Sequence, residues 1–411
     1  MKKFVILFVL ILSSFLYIFA QTSLEDALLK TRTSSIDFKL KVIERDINNK
    51  ALLNSLPSIL PYIAYSVSID SSNYSNWNYS QSISLSQTIF NLPSFLSIFK
   101  NKEYSDIANL LYLKGLNDMI QQIIESYFNL LSYQIKLETD STIISFEETN
   151  LKKNKILYEN GLLSESNFLQ IESNYYSLLF SYEKDKITYQ TYLEEFINLT
   201  GIKSPGKLLD IDTFPEISFF DIDQTKILKN LPEYLIAKKN YTVSEEERII
   251  SYAEFFPKAS LNVSYGLVDT TYRFNLNNLL DSSTVRFGIS VSFPVFTGFS
   301  RSLNVIQKNY SQKSAYLNFL KTEESLKLEI NNFDNRIKLS KNFLESSKKL
   351  YESAQKNFDK AKILLQNGEL NITDYTTIEK TYIESLVNFL NSKKEYYKTY
   401  YRYLYLIRRI R

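Results

Sequence analysis

The chain has 411 residues, with no Cys, no His, eight Gly, 31 Tyr, 28 Phe and a formal net charge of +3. Without His or Cys it can build neither a Ser-His-Asp nor a Cys-His nucleophile, and no His- or thiolate-ligated zinc, haem or iron–sulfur centre. Neither GxGxxG nor GxxxxGK[ST] is present to cradle a phosphate, and the near-balanced charge offers no basic footprint for nucleic acid. Apolar residues at 44% and charged residues at 23% describe an ordered chain.

In chain order, Met1-Lys2-Lys3 precedes an apolar run over 4–20 interrupted only by Ser13 and Ser14. A short positive region, an apolar core and a small residue, Ala20, predict a secretory signal peptide over 1–20. The other reading is an uncleaved anchor helix, for which about 17 residues is the bottom of the spanning range. No Cys follows the run, so the chain is not a lipoprotein.

The mature chain reads as two copies of one plan. Leu60-Pro61-Tyr62-Ile63 aligns with Phe256-Pro257-Lys258-Ala259 at an offset of 196. Ile83-Ser84-Leu85-Ser86 aligns with Ile289-Ser290-Val291-Ser292 at 206. Asn160-Gly161, followed by Glu172 and Tyr175, aligns with Asn367-Gly368, followed by Glu379 and Tyr382, at 207. Such self-similarity marks an internal repeat. The predicted division is a signal peptide over 1–20, a first repeat over 21–203, a linker over 204–223 and a second repeat over 224–411.

Within each repeat the order is helix, two strands, a very long helix, a turn and a returning helix. Ser23 can N-cap the first helix, with Glu25 and Asp26 in its first turn, and the pattern continues to about Ser55 before Pro57 and Pro61. In the second repeat Pro232 opens the equivalent helix and Pro257 stops it.

Strands are predicted at about 63–70 and 82–90, and at about 259–269 and 284–295. Their period-two alternation sets Ile63, Tyr65, Val67 and Ile69 against Ala64, Ser66 and Ser68. It sets Val285, Phe287, Ile289, Val291, Phe293 and Val295 against Arg286, Gly288, Ser290 and Ser292. A half-buried soluble sheet shows the same alternation. A length of roughly 9–11 residues and a small, hydroxylated polar face favour membrane strands around a wet lumen. Tyr74, Trp77, Tyr79, Tyr272 and Phe274 in the connecting loops suit a membrane interface. Lipid forbids open sheet edges, and about eight strands is the smallest barrel, so four strands from one chain require an oligomer that pools them.

The long helices carry heptads. Leu116, Ile123, Leu130, Leu137, Ile144, Leu151 and Tyr158 recur over 94–159. Ile330, Ile337, Leu344, Tyr351, Phe358 and Leu365 recur in the second copy, beside a seam of Leu326, Phe333, Ser340, Ser347, Ala354 and Ala361. Spacing of this kind predicts coiled coil. Asn-Gly ends each rod, because Gly takes the left-handed conformation that closes a helix.

These residues together resemble the TolC-like outer-membrane efflux family. The likeness is carried by Leu24-Glu25-Asp26-Ala27-Leu28 at the start, Ile59-Leu60-Pro61 before the first strand, and Leu85-Ser86-Gln87-Thr88-Ile89-Phe90-Asn91 and Ser292-Phe293-Pro294-Val295-Phe296-Thr297-Gly298 at the strand-to-rod junctions. Asn160-Gly161-Leu162-Leu163-Ser164 and Asn367-Gly368-Glu369-Leu370 carry it at the tips. The resemblance implies a mainly α fold with a β-barrel part: a homotrimer whose twelve strands close one barrel in outer-membrane lipid above an α-helical periplasmic tunnel. It implies a passive exit duct for efflux or type I secretion, not an enzyme, without cofactor or metal, joined at its tips to a periplasmic adaptor protein and an inner-membrane transporter.

The family places its gate after the second tip, at positions six and nine past the glycine. Here these are Asp374 and Thr377, and the matching position in the first copy is Asn167. Relatives commonly carry acids at both gate positions and often a basic residue where this chain has Leu370, so the resemblance does not extend to their interprotomer salt links. Asp374 also fits a local role as a capping partner of Asn371. The tip residues Gly161, Leu162, Leu163, Gly368 and Leu370 are the candidate adaptor contacts. A contrasting reading is a non-conducting coiled-coil tether of the cell envelope.

Overall fold

The computed structural model describes residues 21–72, 76–211, 213–216, 224–269 and 284–407. The expected leader, the terminal Arg408, Arg409 and Arg411, and the loop aromatics Tyr74, Tyr272 and Phe274 lie outside the described residues, as do the side chains of Trp77 and Tyr79. The chain divides into two compact units, one of Met1–Lys41, Gly115–Ile227 and Leu328–Arg411, the other of Val42–Lys114 and Leu228–Lys327. In chain order the elements are β1 (Gln21–Thr22), α1 (Leu24–Ser34), α2 (Ile36–Asn49), α3 (Ala51–Ser55), β2 (Tyr62–Ser72), β3 (Asn76–Phe90), α4 (Leu92–Glu159) and α5 (Glu165–Thr200). They continue as β4 (Lys207–Leu208), α6 (Gln224–Asn230), α7 (Pro232–Ala253), β5 (Lys258–Asp269), β6 (Thr284–Ser292), α8 (Ser300–Gln366) and α9 (Ile372–Leu406). The fold is mainly α with one four-stranded sheet.

That sheet belongs to the second unit. It is antiparallel throughout, in the order β2-β3-β5-β6, so β2 and β6 are its edges. The register sets Ile63 opposite Leu85, Leu85 opposite Val263 and Val263 opposite Phe287, which puts the apolar sets of all four strands on one face. The other face is knitted by hydroxyls: Ser66 to Ser82 at 2.9 Å, Ser68 to Ser80 at 2.6 Å, Ser260 to Ser290 at 2.8 Å, and Ser86 donating to the Asn262 side chain at 3.0 Å. Cross-strand pairs of this size stabilise a sheet by roughly 0.2–1 kcal/mol each. The expected last strand is shorter than the alternation implied. It stops at Ser292, because Pro294 has no N–H to give the ladder.

The first unit is held by small parallel strands and heptad packing. β1 pairs with β4, and beneath them lie Leu24, Ala27, Ile124, Tyr127, Leu131 and Phe196, all nearly inaccessible. The Tyr127 hydroxyl donates to the carbonyls of Thr22 and Leu209 at 3.1 and 2.6 Å, and Gln134 both accepts from and donates to the Leu208 backbone.

The continuous first helix expected to about Ser55 is instead broken at Ser35 and again at Lys50. Ser35 is extended, with φ −67° and ψ 132°. The Thr33 and Ser34 hydroxyls turn back onto the Lys30 carbonyl, the local competition that weakens a helix. Ser34 also donates to the Thr200 carbonyl at 2.6 Å. Gly201, at φ 72°, fits against this corner, where an added Cβ would sit 2.5 Å from the Ser34 carbonyl oxygen.

Most heptad positions of α8 are buried, Ile330, Ile337, Leu344 and Phe358 on one row and Leu326, Phe333, Ser347, Ala354 and Ala361 on the other, while Tyr351, Leu365 and Ser340 are half-buried. The small second row lets α9 approach closely, and Ser347 and Ser392 meet hydroxyl to hydroxyl at 2.6 Å. Phe358 stacks on Tyr382 and Tyr351 on both Tyr382 and Phe389, with ring centroids 4.9–5.9 Å apart. Such rings add about 0.5–1.5 kcal/mol per pair beyond their burial.

Candidate functional site

Both long helices close in the same way. Gly161 (φ 72°) donates its N–H to the Tyr158 carbonyl at 2.9 Å, and Leu162 donates to Leu157 at 2.8 Å. Gly368 (φ 77°) donates to Leu365 at 3.1 Å, and Glu369 to Leu364 at 2.9 Å. This paired closure is the Schellman arrangement, and its left-handed residue explains the glycines. The chain then re-enters a helix through a capping side chain. Ser164 accepts from the Asn167 N–H at 3.3 Å, and Asn371 accepts from the Asp374 N–H at 2.8 Å. Asn371 also donates to the Asp374 carboxylate at 2.6 Å, so each satisfies the other at the positive end of α9.

Asp374, Thr377 and Asn167 are all exposed. Asp374 makes the capping bond that its spacing suggested, and the Thr377 hydroxyl donates to the Thr373 carbonyl at 2.9 Å. The tip leucines differ. Leu162 is 75% exposed, Leu163 is half-buried, and Leu370 packs against the cluster of Phe358, Tyr375 and Tyr382. The two return helices meet where Asn174 donates to the Thr376 hydroxyl at 3.0 Å, and the two long helices where Lys153 donates to the Gln366 carbonyl at 3.1 Å.

Behind the second tip lies a feature to which the sequence reading gave no role. Glu147 of α4 and Tyr375 and Glu379 of α9 are only 1%, 1% and 4% exposed. They line a groove of about 360 Å³ whose rim carries Asn174, Ser177 and Ser181 of α5. The Tyr375 hydroxyl is near enough for both carboxyls to act on it, without the geometry of a full hydrogen bond to either. Burial, then the charge of Glu147, pushes Glu379 up to about 8. Burial raises Glu147 as well, opposed by the Asn150 amide, and Tyr375 is raised by burial and then by Glu147 and Glu379. Eleven residues before Glu147 on α4, Lys136 is held by both Asp140 and Asp185. The signal that marked this site was Glu379 itself, a carboxylate inside the apolar row Tyr375, Tyr382, Leu386. Among the described residues no group of three metal-binding side chains comes together, and no helix is long and apolar enough to cross a membrane.

No protein-family model matches the chain. The outer membrane protein TolC of Escherichia coli (strain K12) is 20% identical over 433 aligned positions, covering 98% of this chain and 84% of that protein. Among solved structures, the CmeC outer membrane channel of Campylobacter jejuni superposes with a TM-score of 0.78 at 18% identity, covering 93% of this chain and 85% of its own. The outer membrane protein VceC of Vibrio cholerae gives 0.70 at 14% identity, covering 93% and 95%. The fold is therefore that of the outer-membrane channels. Its sequence is similar to that of TolC along almost its whole length.

Proposed function

We propose that the chain is the outer-membrane exit duct of a tripartite efflux or type I secretion system. In this reading a signal peptide over 1–20 is removed, and two tandem repeats, 21–203 and 224–411, flank a linker over 204–223. Three copies pool their sheets into one barrel in outer-membrane lipid, over a helical periplasmic tunnel. The duct performs no chemistry; an inner-membrane transporter supplies the energy through a periplasmic adaptor.

The observation that carries the reading is the sheet. Its apolar face is open, with Ile63 66%, Val285 68%, Phe287 69%, Ile289 61% and Val291 68% exposed. Its opposite face is laced by serines, and among the described residues neither edge strand has an outer neighbour. Only closure with further copies satisfies those edges in lipid. A coiled-coil tether has no use for an open apolar sheet face. The purified protein in planar bilayers is expected to give unitary conductance steps and to run as a large oligomer in detergent. A soluble monomer without conductance is the result for a tether.

Asp374, Thr377 and Asn167 form the constriction in this reading. Three Asp374 carboxylates facing one axis favour cations. Asp374→Asn is expected to lower cation over anion permeability, read as a shift of reversal potential under a salt gradient. An unchanged potential leaves Asp374 with its cap alone. Gly161, Leu162, Leu163, Gly368 and Leu370 form the adaptor-facing tips, and Leu162 is the strongest contact because it is the most exposed. Leu162→Glu is expected to abolish adaptor crosslinking at that tip, whereas Leu370, already packed inward, contributes less.

A further inference from the structure

We propose that Glu379, with Glu147 and Tyr375, is a proton-operated clasp: protonated, it holds the first turns of α9 against α4 and α5, and ionised, it releases them. A passive conduit has no need of buried acids, yet three helices converge on these. The groups that act on Glu379 or line its groove are Asp140 and Glu147 from α4 and the neutral Asn174, Ser177 and Ser181 from α5, with Lys136 and Asp185 acting on Asp140 behind them. From α8, Tyr351 and Phe358 pack in the cluster of Tyr375 and Tyr382, with Asp359 acting on Tyr382. From α9 come Tyr375, Lys380, Tyr382 and Glu384. Both nearby cations are committed elsewhere. Lys136 is shared by Asp140 and Asp185, and Lys380 lies on the exposed surface 3.9 Å from Glu384. The charges acting on Glu379 are those of Glu147 and Asp140, and both oppose its ionisation.

Two carboxyls in one buried site do not both ionise readily; a retained proton is the cheaper solution. Their titration belongs to the pair. The sign follows. Glu379 sits at about 8 in the folded protein, against 4.5 ordinarily. Between those values the folded state binds the extra proton, so this contact is strongest at the acid end. It weakens as pH rises and levels off above about 8. The released segment begins at Ile372 and carries Asp374 and Thr377, so the clasp sets the constriction. That last consequence rests on the duct reading; the clasp itself does not.

The test is backbone hydrogen exchange of residues 372–384 in the full-length protein in detergent, corrected for intrinsic rates, alongside bilayer conductance. From about pH 6 to about pH 9 protection of this segment is expected to fall about tenfold in the wild type and to stay constant in Glu379→Gln. Should that variant fail to fold, Glu147→Gln serves: removing the neighbouring charge is expected to move the transition to lower pH. Wild-type protection that ignores pH, the same loss in Glu379→Gln, or an unmoved transition in Glu147→Gln overturns the clasp. A pH-dependent segment without conductance at any pH upholds the clasp and sinks the duct. Conductance with no pH response in the segment does the reverse.

Discussion

Gly161 and Gly368 close the two long helices with matching carbonyl contacts, and each is followed eleven residues later by a glutamate. The first, Glu172, is half-buried on α5; the second, Glu379, is 4% exposed on α9. The backbone of the turn is alike, so the turn does not cause the difference. α9 is walled by the rings of α8 and by Glu147 and Phe146 of α4, which shut water away from its inner row. Equivalent positions in a duplicated plan thus carry the same residue type into different electrostatic surroundings, decided by which helix packs alongside. The caps differ in the same direction, a one-way Ser164 bond against the reciprocal Asn371–Asp374 pair.

Three pairs of substitutions test that contrast. Removing the ring at its centre has the largest effect. Phe358→Ala is expected to destabilise by about 3–5 kcal/mol in denaturant unfolding, because the ring stack cannot collapse onto the space. Leu162→Ala at the first tip is expected to stay within about 0.5 kcal/mol. The pH profile of stability comes next. Wild-type stability is expected to fall as pH climbs from about 4.5 towards about 8, by at most about 1.4 kcal/mol per unit for one proton. Glu379→Gln is expected to flatten that slope, and Glu172→Gln to leave it; equal flattening by both breaks the comparison. The smallest effect belongs to the caps. Asn371→Ala is expected to cost about 1 kcal/mol and Ser164→Ala less, measured the same way.

The sequence made the repeating features legible, since each rests on a period that needs no partner to be seen. Alternation in Ile63–Val67 and Val285–Val291 reported the two faces of the sheet, and the row from Ile330 to Phe358 reported the seam under α9. Single residues that act against a pattern were harder. Pro294 cut β6 short although the alternation ran on, and a cluster of hydroxyls at Thr33, Ser34 and Ser35 broke a helix whose hydrophobic spacing continued. Both are local chemistry and readable in principle. The acid cluster is different in kind. Glu147 and Glu379 are separated by more than two hundred residues, and the place of Glu379 in an apolar row does not name the partner that packing brings to it.

The pairing of β1 with β4 bears on the order of assembly. Gln21 and Thr22 find their partners in Lys207 and Leu208, and Tyr127 bridges the two segments. A ribosome makes the first of these residues long before the last. Until about 190 further residues have followed, the leading strand has nothing to pair with, and closing so long a loop carries a large entropic penalty. The β1 pairing is therefore completed late, and the chain passes through a stage in which Gln21 and Thr22 are still open to chaperones and proteases.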